Sequence, residues 1–315
     1  MNDDECSRRK FLKKCGQTTV AAGGLGVALN SPLSAADVAT YKPVSNWPTL
    51  PKDFEMIGVN GISSDSQGRV YAAGGKKDPI VVFDANGKFI KAWGGDVIEQ
   101  KHELRIFNDR VYVADTKTHQ MYEFTTDGKL LRAFGTKGKA GLGENEFNMP
   151  TDLAFAPNGD IYITDGYGNS CIVCLKSDGT FKFTWGKPGN GSGEFKYPHN
   201  IVIDDRGIVY VADRGNDRIQ VFTPGGQFLK EWKNVGKPYG LYLTQDKRLF
   251  VTDGNPDGSH RVLILDLDGN IKDSFGEKGT GPGQFDVPHS VRVDKDNNVF
   301  VAEVGNKRIQ KFVKK

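Results

Sequence analysis

From residue 58 onward the chain repeats one short apolar run ending in an acid, at intervals of roughly 40 to 50 residues, a period typical of propellers and arrays. The copies are Val111-Tyr112-Val113-Ala114-Asp115, Ile161-Tyr162-Ile163-Thr164-Asp165, Val209-Tyr210-Val211-Ala212-Asp213, Leu249-Phe250-Val251-Thr252-Asp253 and Val299-Phe300-Val301-Ala302-Glu303. An earlier relative, Val70-Tyr71-Ala72-Ala73-Gly74, lacks the acid and brings the set to six. Before a copy stands a first strand and a polar turn, as in Ile201-Val202-Ile203-Asp204 and Asp205-Arg206-Gly207. After it come two more strands, as in Arg218-Ile219-Gln220-Val221-Phe222 and Phe228-Leu229-Lys230-Glu231-Trp232. Alternating β-branched and aromatic residues bounded by Gly, Asn and Asp are strand and turn signals. Four antiparallel strands in each of six units predict an all-β, six-bladed β-propeller, whose radial closure protects the sheet edges. An open β-solenoid fits less well, because the four strands of a unit are unequal. The last unit stops at Lys315, one strand short. The missing strand is expected from the start of the domain, around Lys52 to Ile57, closing the ring with an N-terminal strand. The expected plan is 1–36 export signal, 37–57 linker and ring-closing segment, and 58–315 propeller.

The first residues carry Ser7-Arg8-Arg9-Lys10-Phe11-Leu12-Lys13, then a weakly apolar run from Thr18 to Leu29, then Ser34-Ala35-Ala36. This reads as a twin-arginine export signal with a small-residue cleavage site. The expected location is periplasmic or secreted, with the twin-arginine machinery as a transport partner. The run is shorter than the about 20 residues of a membrane helix, so no membrane anchor is expected. The full chain has 42 basic and 39 acidic residues. Cleavage after Ala36 removes Arg8, Arg9, Lys10, Lys13 and Lys14 together with Asp3, Asp4 and Glu5. The near-neutral remainder gives no reason to expect nucleic-acid or anionic-membrane binding. Cys6 and Cys15 leave with the signal, so no disulfide framework supports the fold. Cys171 and Cys174 have the spacing of a metal or redox pair. However, they lie in a strand, where residues three apart point to opposite faces, which predicts core cysteines. A closed ring is expected to be a monomer.

Three of the five histidines fall in one register, in every second unit. They are His102 in Lys101-His102-Glu103-Leu104, His199 in Pro198-His199-Asn200-Ile201 and His289 in Pro288-His289-Ser290-Val291. The other units carry Gly61 or a neighbour, Thr151 and Tyr239 at that place. Alternate units of a six-membered ring lie a third of a turn apart, so the three imidazoles converge on the axis. Strand one begins on the face where strand two ends. Tyr167, in Asp165-Gly166-Tyr167-Gly168, and Arg214, in Asp213-Arg214-Gly215, therefore share that mouth. Three neutral imidazoles with an open position suit a catalytic zinc, although copper, iron and nickel also accept imidazole. The opposing reading is three polar residues lining a wet channel. Tyr167 is a metal ligand or base, or a rim tyrosine. Arg214 holds a substrate carboxylate through paired donors, or forms a salt bridge with Asp213 or a neighbouring rim acid. His119 and His260 read as loop histidines.

Asn216-Asp217-Arg218-Ile219-Gln220-Val221-Phe222 and Asn306-Lys307-Arg308-Ile309-Gln310-Lys311-Phe312 resemble NHL repeats. A more specific resemblance is carried by Asp165-Gly166-Tyr167-Gly168-Asn169-Ser170, Tyr197-Pro198-His199, Ala212-Asp213-Arg214-Gly215-Asn216 and Val287-Pro288-His289. Across residues 58–315 the chain is similar to the peptidyl-α-hydroxyglycine α-amidating lyases. That resemblance implies cleavage of the C–N bond of a C-terminal α-hydroxyglycine, giving an amide and glyoxylate. It places zinc on His102, His199 and His289, the catalytic tyrosine at Tyr167 and an active-site arginine at Arg214. It implies a peptide or small-molecule substrate with a C-terminal carboxylate.

The chain departs from that family at several positions. Its first-unit active-site arginine aligns with Gly75, with Lys76 or Lys77 as candidate replacements that lack a bidentate fork. The carboxylate that follows the last histidine and serves a structural calcium is Ser290 here, so calcium is not expected. A methionine near the substrate becomes Val287, which is the candidate substrate-binding residue at that place beside Arg214. The sequence therefore supports an exported metal-dependent lyase acting on an α-hydroxyglycine-like hemiaminal. The competing readings are a non-catalytic NHL propeller that binds a protein or glycan, and a metal site with a different reaction. A sugar lactonase fits less well, because no matching set of acidic and amide ligands is present.

Overall fold

Each of the six units forms one four-stranded antiparallel sheet. The computed structural model describes residues 40–255 and 258–315. The expected export segment, with Cys6 and Cys15, lies outside the described residues. Blade 4 shows the pattern: Pro198–Ile203, Val209–Asp213, Arg218–Phe222 and Phe228–Trp232, from the axis outward. The second strand is apolar throughout because both of its faces are covered. Tyr210 and Ala212 pack with Leu249 and Val251 of blade 5, while Val209 and Val211 pack with Tyr162 and Ile172 of blade 3. Period-two alternation thus divides each strand between two interblade cores. Cys171 and Cys174 obey the same rule: Cys171 packs toward Tyr112 and Met121, Cys174 toward Val209 and Phe222. Both are buried free thiols, and burial raises them to about 12 and about 11, which suits core packing rather than ligation. The only helical element among the described residues is one 3-10 turn, Arg214–Asn216.

The first strands of the blades are Met56–Ser64, Lys101–Phe107, Asp152–Phe155, Pro198–Ile203, Pro238–Leu243 and Pro288–Val293. They surround the axis in order, and the last of them returns to touch the first. The ring closes through an N-terminal strand, but not the expected one. Tyr41–Pro43 pairs antiparallel with Arg308–Lys314 and completes blade 6. Met56 and Ile57, placed in the clasp by the sequence, belong instead to the first strand of blade 1, where Met56 pairs with Gly75. A proline suits this outermost strand, where a missing donor breaks no ladder.

An aromatic latch repeats around the rim. At the end of the outermost strand, Trp93, Trp185 and Trp232 each lie on a turn glycine of the next blade, Gly128, Gly226 and Gly269. Those glycines hold φ of +92°, +80° and +87°, and a Cβ there would strike the indole. Trp47 makes the same contact with Gly87 of blade 1 and packs at a tilt against Phe300 of blade 6, ring centroids 4.9 Å apart. It is thus the blade 6 member of the series, supplied by the N-terminal segment. Trp47→Ala is expected to destabilise the ring by about 3–5 kcal/mol in chemical denaturation, as other buried Trp truncations do. Leu131→Ala, at a residue 43% exposed, is expected to stay within about 0.5 kcal/mol of the parent.

Candidate metal centre and substrate mouth

The acids that end the second strands hold the main chain that enters the first strands. Asp115 accepts the N–H groups of Glu99 and Gln100, Asp165 that of Asn148, Asp213 that of Lys196, Asp253 that of Lys237 and Glu303 that of Asp286. Each bond lands two or three residues before the histidine register. In blades 4 and 6 the acid also accepts Arg218 or Arg308, and each arginine ties the same incoming loop through its carbonyls. The repeat marker is therefore structural: it sets where strand one starts. Blade 1, whose marker ends in glycine, lacks this staple and carries no histidine.

The antiparallel register slips where the histidines stand, between Pro198 and Asn200, between Pro288 and Ser290, and between Lys101 and Leu104. Such a bulge re-aims a side chain out of the pleat. His102, His199 and His289 all turn to the axis, with ring centroids 4.7–5.0 Å apart. Their candidate ligand atoms lie within 4.8 Å of one another, and all three rings are buried. Each Nδ1 donates to a main-chain carbonyl at the matching place on the next blade: His102 to Thr151 at 2.8 Å, His199 to Tyr239 at 2.8 Å and His289 to Asn60 at 2.6 Å. A carbonyl only accepts, so each Nδ1 carries the proton and each Nε2 presents a lone pair. Burial lowers His102 to about 4 and holds His199 and His289 well below the ordinary imidazole value. The three rings are thus neutral and ligand-ready at any physiological pH.

Tyr167 and Arg214 reach the same point. The Tyr167 hydroxyl lies 3.0 Å from Nε2 of both His102 and His199, and Arg214 Nη1 donates to it at 3.2 Å. One hydroxyl proton cannot serve two acceptors, so lone pairs outnumber protons at this spot. That is the donor set a transition-metal cation satisfies. Burial raises the Tyr167 phenol, and Arg214 opposes the shift. The Gly166-Tyr167-Gly168 turn has no room for larger residues: a Cβ on Gly166 would meet the Pro198 carbonyl, and one on Gly168 would meet the Asn148 amide. Arg214 does not pair with Asp213, whose carboxylate is taken by Lys196 N, Asn216 and Arg218. Its guanidinium instead lies over Tyr239 at 4.8 Å, Tyr167 at 5.1 Å and Tyr197 at 5.9 Å. Tyr197 and Tyr239 form an aromatic collar that the sequence reading did not assign to the site. Tyr239 stood in the histidine register, and that was the available signal.

Beneath the histidines lies a second tier made by the residue after each of them. Glu103 accepts from Leu104 N at 3.0 Å, Ser290 Oγ at 2.9 Å and Asn200 Nδ2 at 3.1 Å. Asn200 in turn accepts from Arg105, which is bidentate to buried Asp152 at 2.9 and 2.7 Å. Burial raises the Glu103 carboxyl, and the nearby Arg105 charge opposes this. This network joins the three histidine-bearing blades from below. It does not suit calcium, because the carboxylate already faces three donors and a guanidinium, whereas calcium needs six to eight oxygens.

The candidates of the first unit have no described contact with the cluster. Lys76 pairs with Glu55 on the surface, Lys77 is exposed, and a side chain at Gly75 would strike the Asp78 carbonyl. Val287 is a half-buried turn residue with φ +50°, its N–H held by His260 Nδ1 and its carbonyl by Val304. No described hydrogen bond or ring contact joins it to the five residues at the centre. His119 is the counterpart of His260, accepting Met149 N at 3.0 Å, so both loop histidines position the start of a first strand. Lys101, also unassigned from sequence, sends its half-buried ammonium across to blade 1. There it donates to Gly58 O at 3.1 Å and Asn60 Oδ1 at 3.4 Å, and burial lowers it to about 8.

The NHL repeat family matches residues 147–175, 195–222 and 285–312. NHL repeat-containing protein 3 of Mus musculus is 32% identical over 286 residues, covering 85% of this chain and 82% of the relative. Peptidyl-alpha-hydroxyglycine alpha-amidating lyase 1 of Drosophila melanogaster is 28% identical, covering 74% of this chain and 48% of its own length. A streptogramin B lyase structure superposes with a TM-score of 0.61 at 17% identity, over 87% of this chain and 98% of that one, a likeness of fold alone. With six blades, the NHL segments and a relative 32% identical over most of both chains, the chain belongs to the NHL-repeat family with NHL repeat-containing protein 3, and it is similar to the peptidyl-α-hydroxyglycine α-amidating lyases.

Proposed function

We propose that the protein is an exported, metal-dependent lyase that cleaves the C–N bond of an α-hydroxyglycine-like hemiaminal, releasing an amide and glyoxylate. The observation that carries this reading is the Tyr167 hydroxyl, 3.0 Å from two of three convergent histidine lone pairs and bonded to an arginine that has no carboxylate partner among the described residues. Similarity to the Drosophila lyase supports the reaction class. His102, His199 and His289 would hold the metal, and zinc suits three neutral imidazoles with an open position best. When bound, the metal supplies Lewis acidity and favours the phenolate form of a neighbouring tyrosine.

The chain's own residues do the rest. Arg214 fixes the substrate carboxylate, and the collar of Tyr197 and Tyr239 holds the guanidinium in place by cation–π contact. Tyr167 as phenolate takes the proton of the substrate hydroxyl. The freed electron pair forms the aldehyde C=O of glyoxylate, the C–N bond breaks, and the amide nitrogen takes the proton back from Tyr167. Proton and electrons balance without a further reactant. The reading extends to the twin-arginine route, a periplasmic or secreted location and a monomeric ring.

Two measurements test this reading. Purified protein is expected to carry about one transition-metal ion per chain by elemental mass spectrometry, and the His102→Ala/His199→Ala/His289→Ala variant none. A wild-type protein that takes up no metal after reconstitution would leave a partner-binding propeller in its place. Tyr167→Phe is expected to keep metal and fold while lowering glyoxylate release from an N-acyl-α-hydroxyglycine by about 10²- to 10⁴-fold, the usual contribution of a positioned acid–base group. Unchanged release in that variant would remove Tyr167 from the chemistry.

A further inference from the structure

Two half-buried cations reach the mouth with no carboxylate partner among the described residues, Arg214 and Lys101. The Lys101 ammonium rests only on two neutral oxygens, the Gly58 carbonyl and the Asn60 amide. An ammonium has three donors, and a desolvated charge is costly without an opposite charge nearby. The same Asn60 accepts His289 Nδ1–H through its main-chain carbonyl. Lys101 therefore stands beside His289, on the blade 1 side of the triad. Arg214, with Tyr167, Tyr197 and Tyr239, stands on the side of blades 3 to 5. His289 Nε2, unlike the other two, makes no hydrogen bond to Tyr167 among the described contacts.

We propose that Lys101 is a substrate-binding residue that takes the carboxylate of the incoming molecule on the His289 side, opposite Arg214. It stands beside blade 1, where Gly75 has no space for a side chain and Lys76 is engaged by Glu55. Two cations acting from different directions fix the orientation of a carboxylate, which one alone leaves free to swing. The proposal rests on the reading of the site as one for a carboxylate-bearing hemiaminal.

The test is calorimetric titration of the zinc-loaded full chain with N-benzoylglycine and with its neutral amide, for wild type, Lys101→Met, Lys101→Arg and Arg214→Met, with metal content measured on each. Wild type is expected to prefer the acid. Lys101→Met is expected to bind the acid about tenfold or more weakly with the amide unchanged, and Lys101→Arg to recover most of that loss. Acid binding retained by Lys101→Met but lost by Arg214→Met would overturn the Lys101 proposal and leave the site reading intact. Loss of metal in Lys101→Met would also overturn it, since the residue would then act on the histidines. Equal binding of acid and amide by the wild type would overturn both.

Discussion

The buried acid that ends the second strand in five of the six blades is the interaction on which the rest of the molecule depends. Asp115, Asp165, Asp213, Asp253 and Glu303 are all at most 1% exposed, and each is surrounded by main-chain or side-chain donors of the segment that enters strand one. Charge-assisted bonds of this kind contribute about 1.5–3 kcal/mol each. Their larger effect is geometric. They bring the incoming loop to the axis at one height in five blades, so that whatever residue opens strand one faces the centre. A propeller without this staple would have the same strands and no common mouth.

On that frame, a local irregularity does the chemical work. Regular pleating would send His199 and Asn200 to opposite faces, but the register slip between Pro198 and Asn200 lets both serve the axis. The same slip in blades 2 and 6 yields three histidines above and Glu103, Asn200 and Ser290 below. The lower residues bond to one another, and each histidine bonds to the next blade, so no ring can rotate without breaking a buried hydrogen bond. The three Nε2 lone pairs are therefore held in fixed directions by the fold.

Beneath the histidines Arg105 is paired with Asp152, and Glu103 faces three donors with Arg105 nearby, while Arg292 rests on the Ser64 hydroxyl and the Tyr242 ring. At the surface side of the triad, Arg214 and Lys101 are held by aromatic faces and neutral oxygens alone. Positive charge without an acid partner beside a cluster of neutral imidazoles attracts an anion. These two cations, rather than the propeller itself, are what argue for a carboxylate-bearing substrate, since the same fold serves many unrelated functions.

Sequence alone determined the blade count, the strand order within a blade, the opposite-facing cysteines and the convergence of His102, His199, His289, Tyr167 and Arg214. All of these follow from a period that maps linearly onto a ring, so spacing along the chain becomes position around the axis. Tertiary structure decided the rest. The clasp is a three-residue strand, Tyr41–Pro43, too short to show a pattern and separated from its partner by nearly the whole chain. The inward turn of Glu103 and Asn200 comes from a bulge, and a period-two reading sends them the other way. Lys101 matters because a long side chain crosses to Asn60 of the neighbouring blade, and Tyr197 because it packs beside Tyr167 across a blade boundary. Contacts between blades depend on where flexible side chains and irregular backbone come to rest after the ring has closed, and no local pattern encodes them.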